Sequence, residues 1–153
     1  MSATPPERPR GFLINTWIAS ELVDAVLARN LAAEGVDSAF YGTLSVIGVW
    51  GPLTPSDVAD KTGTPLTTVS DRLRRMVADG DVERVAHPAD GRSHLVQLTP
   101  VGDARWRQGW PALQRTIAQV AGNLERPVEE VEAALEDLLA ALRKAAQPTT
   151  PVS

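Results

Sequence analysis

Residues 54–99 read TPSDVADKTGTPLTTVSDRLRRMVADGDVERVAHPADGRSHLVQLT, and the punctuation of this stretch decides the fold. Three helix starts are written alike: Thr54-Pro55, Thr64-Pro65 and Thr99-Pro100 each offer a hydroxyl at the N-cap and a proline at the first helical position. The threonine oxygen accepts from an orphan N–H, and proline lacks the N–H that would go unpaired. Asp57, three residues after Thr54, puts negative charge where the helix dipole favours it. Gly63 closes the first helix one residue before the next cap. Two helices joined by a tight turn containing glycine form a helix-turn-helix.

The second of these helices, predicted over 65–79, places Leu66, Val69, Leu73, Met76 and Val77 on one side at helical spacing, as a core-facing stripe. Its other side presents Thr67, Thr68, Asp71, Arg74 and Arg75, flanked by Ser70 and Arg72, and Gly80 stops it. Two short apolar-rich segments, 82–86 and 95–99, then bracket His87-Pro88-Ala89-Asp90-Gly91-Arg92-Ser93. Asp-Gly is a strong turn signal, so the pair predicts a hairpin with an extended tip, a wing.

Outward from this centre the pattern is helical. Residues 12–33 carry apolar side chains at three- and four-residue spacings and are closed by Gly35. A second helix is expected over 37–50, ending at Gly51-Pro52. A long helix follows over 100–124 with Pro111 inside it, where a lost donor predicts a kink, and a last helix over 128–146. The fold class expected is mainly α with a small β-hairpin wing. Residues 37–99 form the winged helix-turn-helix, and 11–36 with 100–146 supply dimerisation helices. The Pro-rich, charged residues 1–10 read as a disordered arm and 147–153 as a tail. The apolar stripes of the first and last helices are too wide for one small bundle to cover, which argues for a homodimer.

Net charge over the 153 residues is −4, yet it is unevenly spread. Residues 61–115 hold nine basic and six acidic side chains, whereas 1–60 hold three and seven and 116–153 hold three and six. Phosphate contact needs only local positive charge, so a basic middle between acidic ends is compatible with double-stranded DNA as partner. No apolar run reaches the roughly 20 residues of a membrane span, and the first ten residues lack a secretion-type apolar stretch. A cytoplasmic protein is expected. With no cysteine in the chain, thiolate catalysis, cysteine zinc sites and thiol-oxidation switching are excluded.

The run from Glu83 to Thr99 resembles the wing of the MarR family, in which an Asp-x-Arg tip is followed at fixed distance by Leu-Thr opening the next helix. Asp90 and Arg92 match the tip; Leu98-Thr99 with Gly102 match its sequel. Thr68-Val69-Ser70, Arg75 and Gly80 match the recognition helix and its stop, and the order of elements fits nearly the whole chain. The resemblance implies an obligate dimer with interlocked terminal helices. For many members it further implies a repressor released by a small, often aromatic, ligand. The chain departs from the family at Asp71, where relatives often carry Arg, and at Arg72, a usually apolar position. Asp71 either accepts from cytosine N4 or orients Arg72 or Arg75.

A helix in the major groove reads base edges with its N-terminal half and touches phosphates at its cap. Thr64, Thr67, Thr68, Ser70, Arg72 and Arg75 are the candidate contacts of the helix. Asp90, Arg92 and Ser93 are those of the wing. Arg92 is placed to enter a narrow minor groove, with Asp90 holding its guanidinium or pairing with Arg75. Trp17, Trp50, Trp106 and Trp110 are candidate walls of a pocket for an aromatic ligand, Arg105 and Arg107 supplying the cation. His87 and His94 flank the wing without a third strong ligand, so no metal and no cofactor is expected. No Ser-His-Asp set, phosphate-cradling glycine loop or paired carboxylate in an apolar setting is present, and the chain reads as non-enzymatic. The alternatives to a ligand-released, operator-binding regulator are a winged-helix protein–protein module and a small-molecule binding protein.

Overall fold

The computed structural model describes residues 11–147, so the expected arm over 1–10 and nearly all of the tail lie outside the described residues. The element order is α1 (Phe12–Ala33), α2 (Tyr41–Trp50), α3 (Pro55–Thr62), α4 (Leu66–Ala78), β1 (Val82–Ala86), β2 (His94–Leu98), α5 (Pro100–Ala121) and α6 (Val128–Ala146). The chain divides into two compact units, Met1–Thr116 and Ile117–Ser153.

The first unit holds the buried core. Leu31 and Val36 meet there at the end of α1, where Gly35 (φ +70°) lets the Val36 N–H reach the Leu31 carbonyl and the Gly35 N–H reach that of Ala32. This is a Schellman closure, and its paired apolar residues are buried with it. Tyr41, Leu44 and Ile47 of α2, Leu53, Val58 and Ala59 of α3 and its approach, Val69, Leu73 and Met76 of α4, Val82 and Val96 of the hairpin, and Ala112 of α5 complete the cluster. Two glycines allow α2 and α5 to approach: a Cβ at Gly48 would lie 2.6 Å from the Trp106 ring, and one at Gly109 would run into the Tyr41 ring. The Tyr41 hydroxyl donates to the Trp106 carbonyl at 2.8 Å. Asn30 of α1 donates to Thr116 of α5 at 2.8 Å, so the buried amide has a partner.

Strands β1 and β2 pair antiparallel, Val82 opposite Leu98 through Ala86 opposite His94. Leu53 adds a bridge to Val96, its N–H donating at 3.0 Å and its carbonyl accepting at 2.7 Å. Nothing in the sequence marks this bridge, because one residue after a Gly-Pro pair carries no periodicity.

Other expectations need correction. The second helix starts at Tyr41, not at 37: Asp37 accepts the Ala39 N–H at 2.9 Å, and Phe40 takes a left-handed φ of 64°, so a local turn replaces the first helical turn. The fifth helix ends at Ala121 rather than at 124. It remains one helical element through Pro111. Leu66 and Val77, expected in the core, are exposed; the buried face of α4 is the narrower Val69, Leu73, Met76 stripe.

In the second unit, α6 has acidic residues Glu129 and Glu130 in its first turn and Arg143 and Lys144 in its last, as the helix dipole favours. None of its residues is buried.

Candidate nucleic-acid interface

The helix-turn-helix is fixed by its turn chemistry. Thr54 Oγ1 accepts the Asp57 N–H at 3.1 Å, and the Asp57 carboxylate accepts the Thr54 N–H at 3.0 Å and its hydroxyl at 2.7 Å, a reciprocal capping box. Hydrogen bonds from the Thr54 hydroxyl and backbone, in that order, hold the Asp57 carboxyl below its ordinary pKa. Gly63 (φ +63°) closes α3, and the Thr64 N–H donates to the Ala59 carbonyl at 3.2 Å.

The start of α4 differs from the expectation. Pro65, at ψ 139°, is itself the residue that precedes the helix, and no side chain caps it. Because Pro65 is itself extended rather than helical, the helix begins one residue later and Thr64 lies one place out of capping position. The first-turn N–H groups of α4 therefore keep no side-chain acceptor among the described residues, the condition under which a helix start receives a phosphate.

On α4, Thr67, Thr68, Asp71, Arg74 and Arg75 are exposed, while Thr64 and Ser70 are half-buried. Asp71 orients neither Arg72 nor Arg75: it pairs with Arg74 at 2.8 Å, one helical turn on. Arg72 is half-buried and lines a cavity with Glu21, Asp24, Asp37, Phe40 and Thr43, toward α1 and the turn before α2. Arg74, on the polar face expected of this helix, is thus a further candidate contact, and its three-residue spacing from Asp71 is the sequence signal for it.

At the wing, Asp90 Oδ1 accepts the backbone N–H of Arg92 at 3.0 Å and the Asp90 carbonyl accepts that of Ser93 at 3.1 Å. Asp90 therefore shapes the tip through backbone, and it pairs with neither the Arg92 nor the Arg75 side chain among the described residues. Arg92 is exposed and Ser93 half-buried. His87 Nδ1 accepts the Ala89 N–H at 3.1 Å. Among the described residues no group of three or more His, Asp or Glu side chains is arranged to hold a metal. Lys61, Arg75, Arg84 and Arg92 are exposed on this segment and enter no ion pair among the described residues. By contrast Arg105 is tied to the buried Asp81, and Arg107 to Asp103 at 2.7 Å.

Of the four tryptophans, one pair is in ring contact. Trp106 and Trp110 meet edge to face, centroids 5.7 Å apart, and the buried Trp106 Nε1 has no hydrogen-bond partner among the described residues. Trp50 is exposed with Lys61 Nζ 4.8 Å from its ring centre. Trp17 is 74% exposed on α1.

A capped helix, a glycine turn, a second helix with a polar outer face and an antiparallel hairpin beside it define a winged helix-turn-helix protein. Residues 34–93 match the model of the MarR family. This chain carries a MarR-family winged helix-turn-helix. No curated protein matches the sequence. Among solved structures, the chain is similar to the M. tuberculosis transcriptional regulator MosR in complex with DNA, at 25% identity and TM-score 0.77, over 90% of this chain and 100% of that one. A mutant MarR from E. coli with operator DNA matches at 26% identity and TM-score 0.71, over 84% and 94%. The S. aureus MepR–DNA complex shares the fold at 18% identity and TM-score 0.73, over 86% and 98%.

Proposed function

We propose that this protein is a sequence-specific, DNA-binding transcriptional regulator that acts as a homodimer, with α4 in the major groove and the wing reaching the adjacent minor groove. One observation carries the reading. The outer face of α4 and the wing tip present Thr67, Thr68, Arg75 and Arg92 to solvent, the two arginines without an ion-pair partner among the described residues. Unneutralised guanidinium beside an uncapped helix start is what phosphate and groove contacts use. Three similar structures were solved with DNA bound.

A second copy is the partner proposed for the terminal helices. On α1, Phe12, Leu13, Trp17, Ile18, Leu22 and Val23 are exposed, and on α6 Leu135 and Leu139 are. Exposed large apolar side chains gathered on a helix support an association surface on each of the two. The segments 11–36 and 100–146 are accordingly the dimerisation elements and 37–99 the DNA-reading segment. No helix among the described residues is long and apolar enough to cross a membrane, and a cytoplasmic regulator without catalytic activity is the proposal. Release by a small aromatic ligand is part of it; the edge-to-face pair of Trp106 and Trp110, with a Trp106 Nε1 donor unpartnered among the described residues, is what supports it.

Equilibrium sedimentation at micromolar concentration, with and without duplex, tests the assembly. A dimer that binds one duplex is expected; a monomer contradicts it.

A further inference from the structure

Asp71 is the one acid on the outer face of α4, and an isolated carboxylate there would face the phosphates of any duplex the helix entered. The structure removes that penalty: Arg74 Nη2 donates to Asp71 Oδ1 at 2.8 Å, and both side chains stand in solvent on the face that carries Thr67, Thr68 and Arg75. The pair uses one oxygen of the carboxylate and one nitrogen of the guanidinium. Asp71 Oδ2 and the remaining Arg74 donors have no partner among the described residues.

Resting on the regulator reading, we propose that Asp71 and Arg74 act together as one reading unit for a C·G base pair in the major groove. Cytosine offers its N4 amine as donor, and guanine offers O6 and N7 as acceptors. N4 and O6 are hydrogen-bonded to each other, about 2.9 Å apart, so a linked acceptor and donor on the protein meets a linked donor and acceptor on the base pair. Asp71 Oδ2 accepts from N4, and Arg74 donates to O6 or N7. A T·A pair places an acceptor and a methyl where the carboxylate needs a donor and is strongly disfavoured. An A·T pair keeps a donor, adenine N6, but sets the N7 acceptor beside the carboxylate and offers Arg74 only thymine O4, so it is disfavoured less. The proposal accounts for an acid on a helix otherwise lined with hydroxyls and arginines, and it assigns Arg72 no part in base reading.

The test is selection from randomised duplexes by the full-length wild type, D71A, D71N and R74A, followed by titration on the selected site and on the site with one C·G pair per half-site replaced by T·A. Wild type is expected to require C·G at one symmetric position and to lose about 5- to 100-fold in affinity on its replacement. D71A should lose that preference while keeping the preferences at other positions. D71N should shift it toward adenine, whose N6 and N7 match an amide, a change that a merely structural role for the side chain would not produce. R74A should bind more weakly and discriminate less at the same position. If wild type selects a sequence and D71A keeps every base preference, the proposal is overturned and the regulator reading stands. If wild type selects nothing, both fall.

Discussion

Asp90 accepts the backbone N–H of Arg92 at 3.0 Å, so the acid of the wing spends its carboxylate on the shape of the tip and leaves the arginine side chain outside any ion pair among the described residues. Tip geometry and charge are thereby divided between two side chains two residues apart. Arg92→Ala is expected to weaken operator binding and to flatten the dependence of log affinity on log salt by about one, the counterions of one phosphate neighbourhood. Titration by fluorescence anisotropy across a salt series measures it, and an unchanged slope contradicts the wing contact. Asp90→Ala should weaken binding with the slope kept.

The capping box makes α3 sensitive to acid. The folded pKa of Asp57 lies below its ordinary value, so its stabilisation is present above that value and is lost as pH falls through the folded one. Thr54→Ala should cost about 1 kcal/mol in chemical denaturation at neutral pH. The difference between wild type and variant should shrink below about pH 4. A cost constant down to strongly acidic pH would contradict the box.

The close approach of α2 and α5 leaves no room for a methyl group at Gly109, where the Tyr41 ring and its hydroxyl bond to the Trp106 carbonyl occupy the space. Gly109→Ala is expected to destabilise by about 3 kcal/mol despite alanine being the better helix former. Denaturation midpoints decide it. A stabilised variant would mean the two helices do not meet at this point.

Arg105 and Asp81 should respond unequally to mutation. Asp81 is buried, whereas the Arg105 side chain is 44% exposed. Removing Arg105 strands a buried carboxylate, and removing the Asp81 charge leaves a guanidinium that reaches water. Arg105→Ala should therefore cost about 2–3 kcal/mol and Asp81→Asn clearly less. The reverse order in thermal or urea unfolding would contradict the burial of Asp81.

Much of this architecture was legible because its signals are local. Thr-Pro caps, the glycine stops and the Asp-Gly turn act over three or four residues, and the ends of α1 and α3 and the strand β1 stand where they place them. Expectations weakened where tertiary packing or a competing turn decided. Asp37 drew the backbone into a turn that delayed α2, and Pro65 took the cap position that Thr64 was expected to fill. The face of α4 that meets the core is three residues wide, so Leu66 and Val77, apolar and at the right spacing, stand in solvent. Arg72 and Arg74 look interchangeable in sequence; one helical offset of about 200° sends the first toward the α1 acids and leaves the second paired with Asp71.

Mapping of bound sites across the genome of the source cell tests the central claim most directly. The account predicts a set of sites sharing one pseudo-palindrome, with half-site centres about 10 bp apart or a multiple of that, as two symmetric recognition helices require. Sites without a shared motif, or a motif lacking two-fold symmetry, would contradict it.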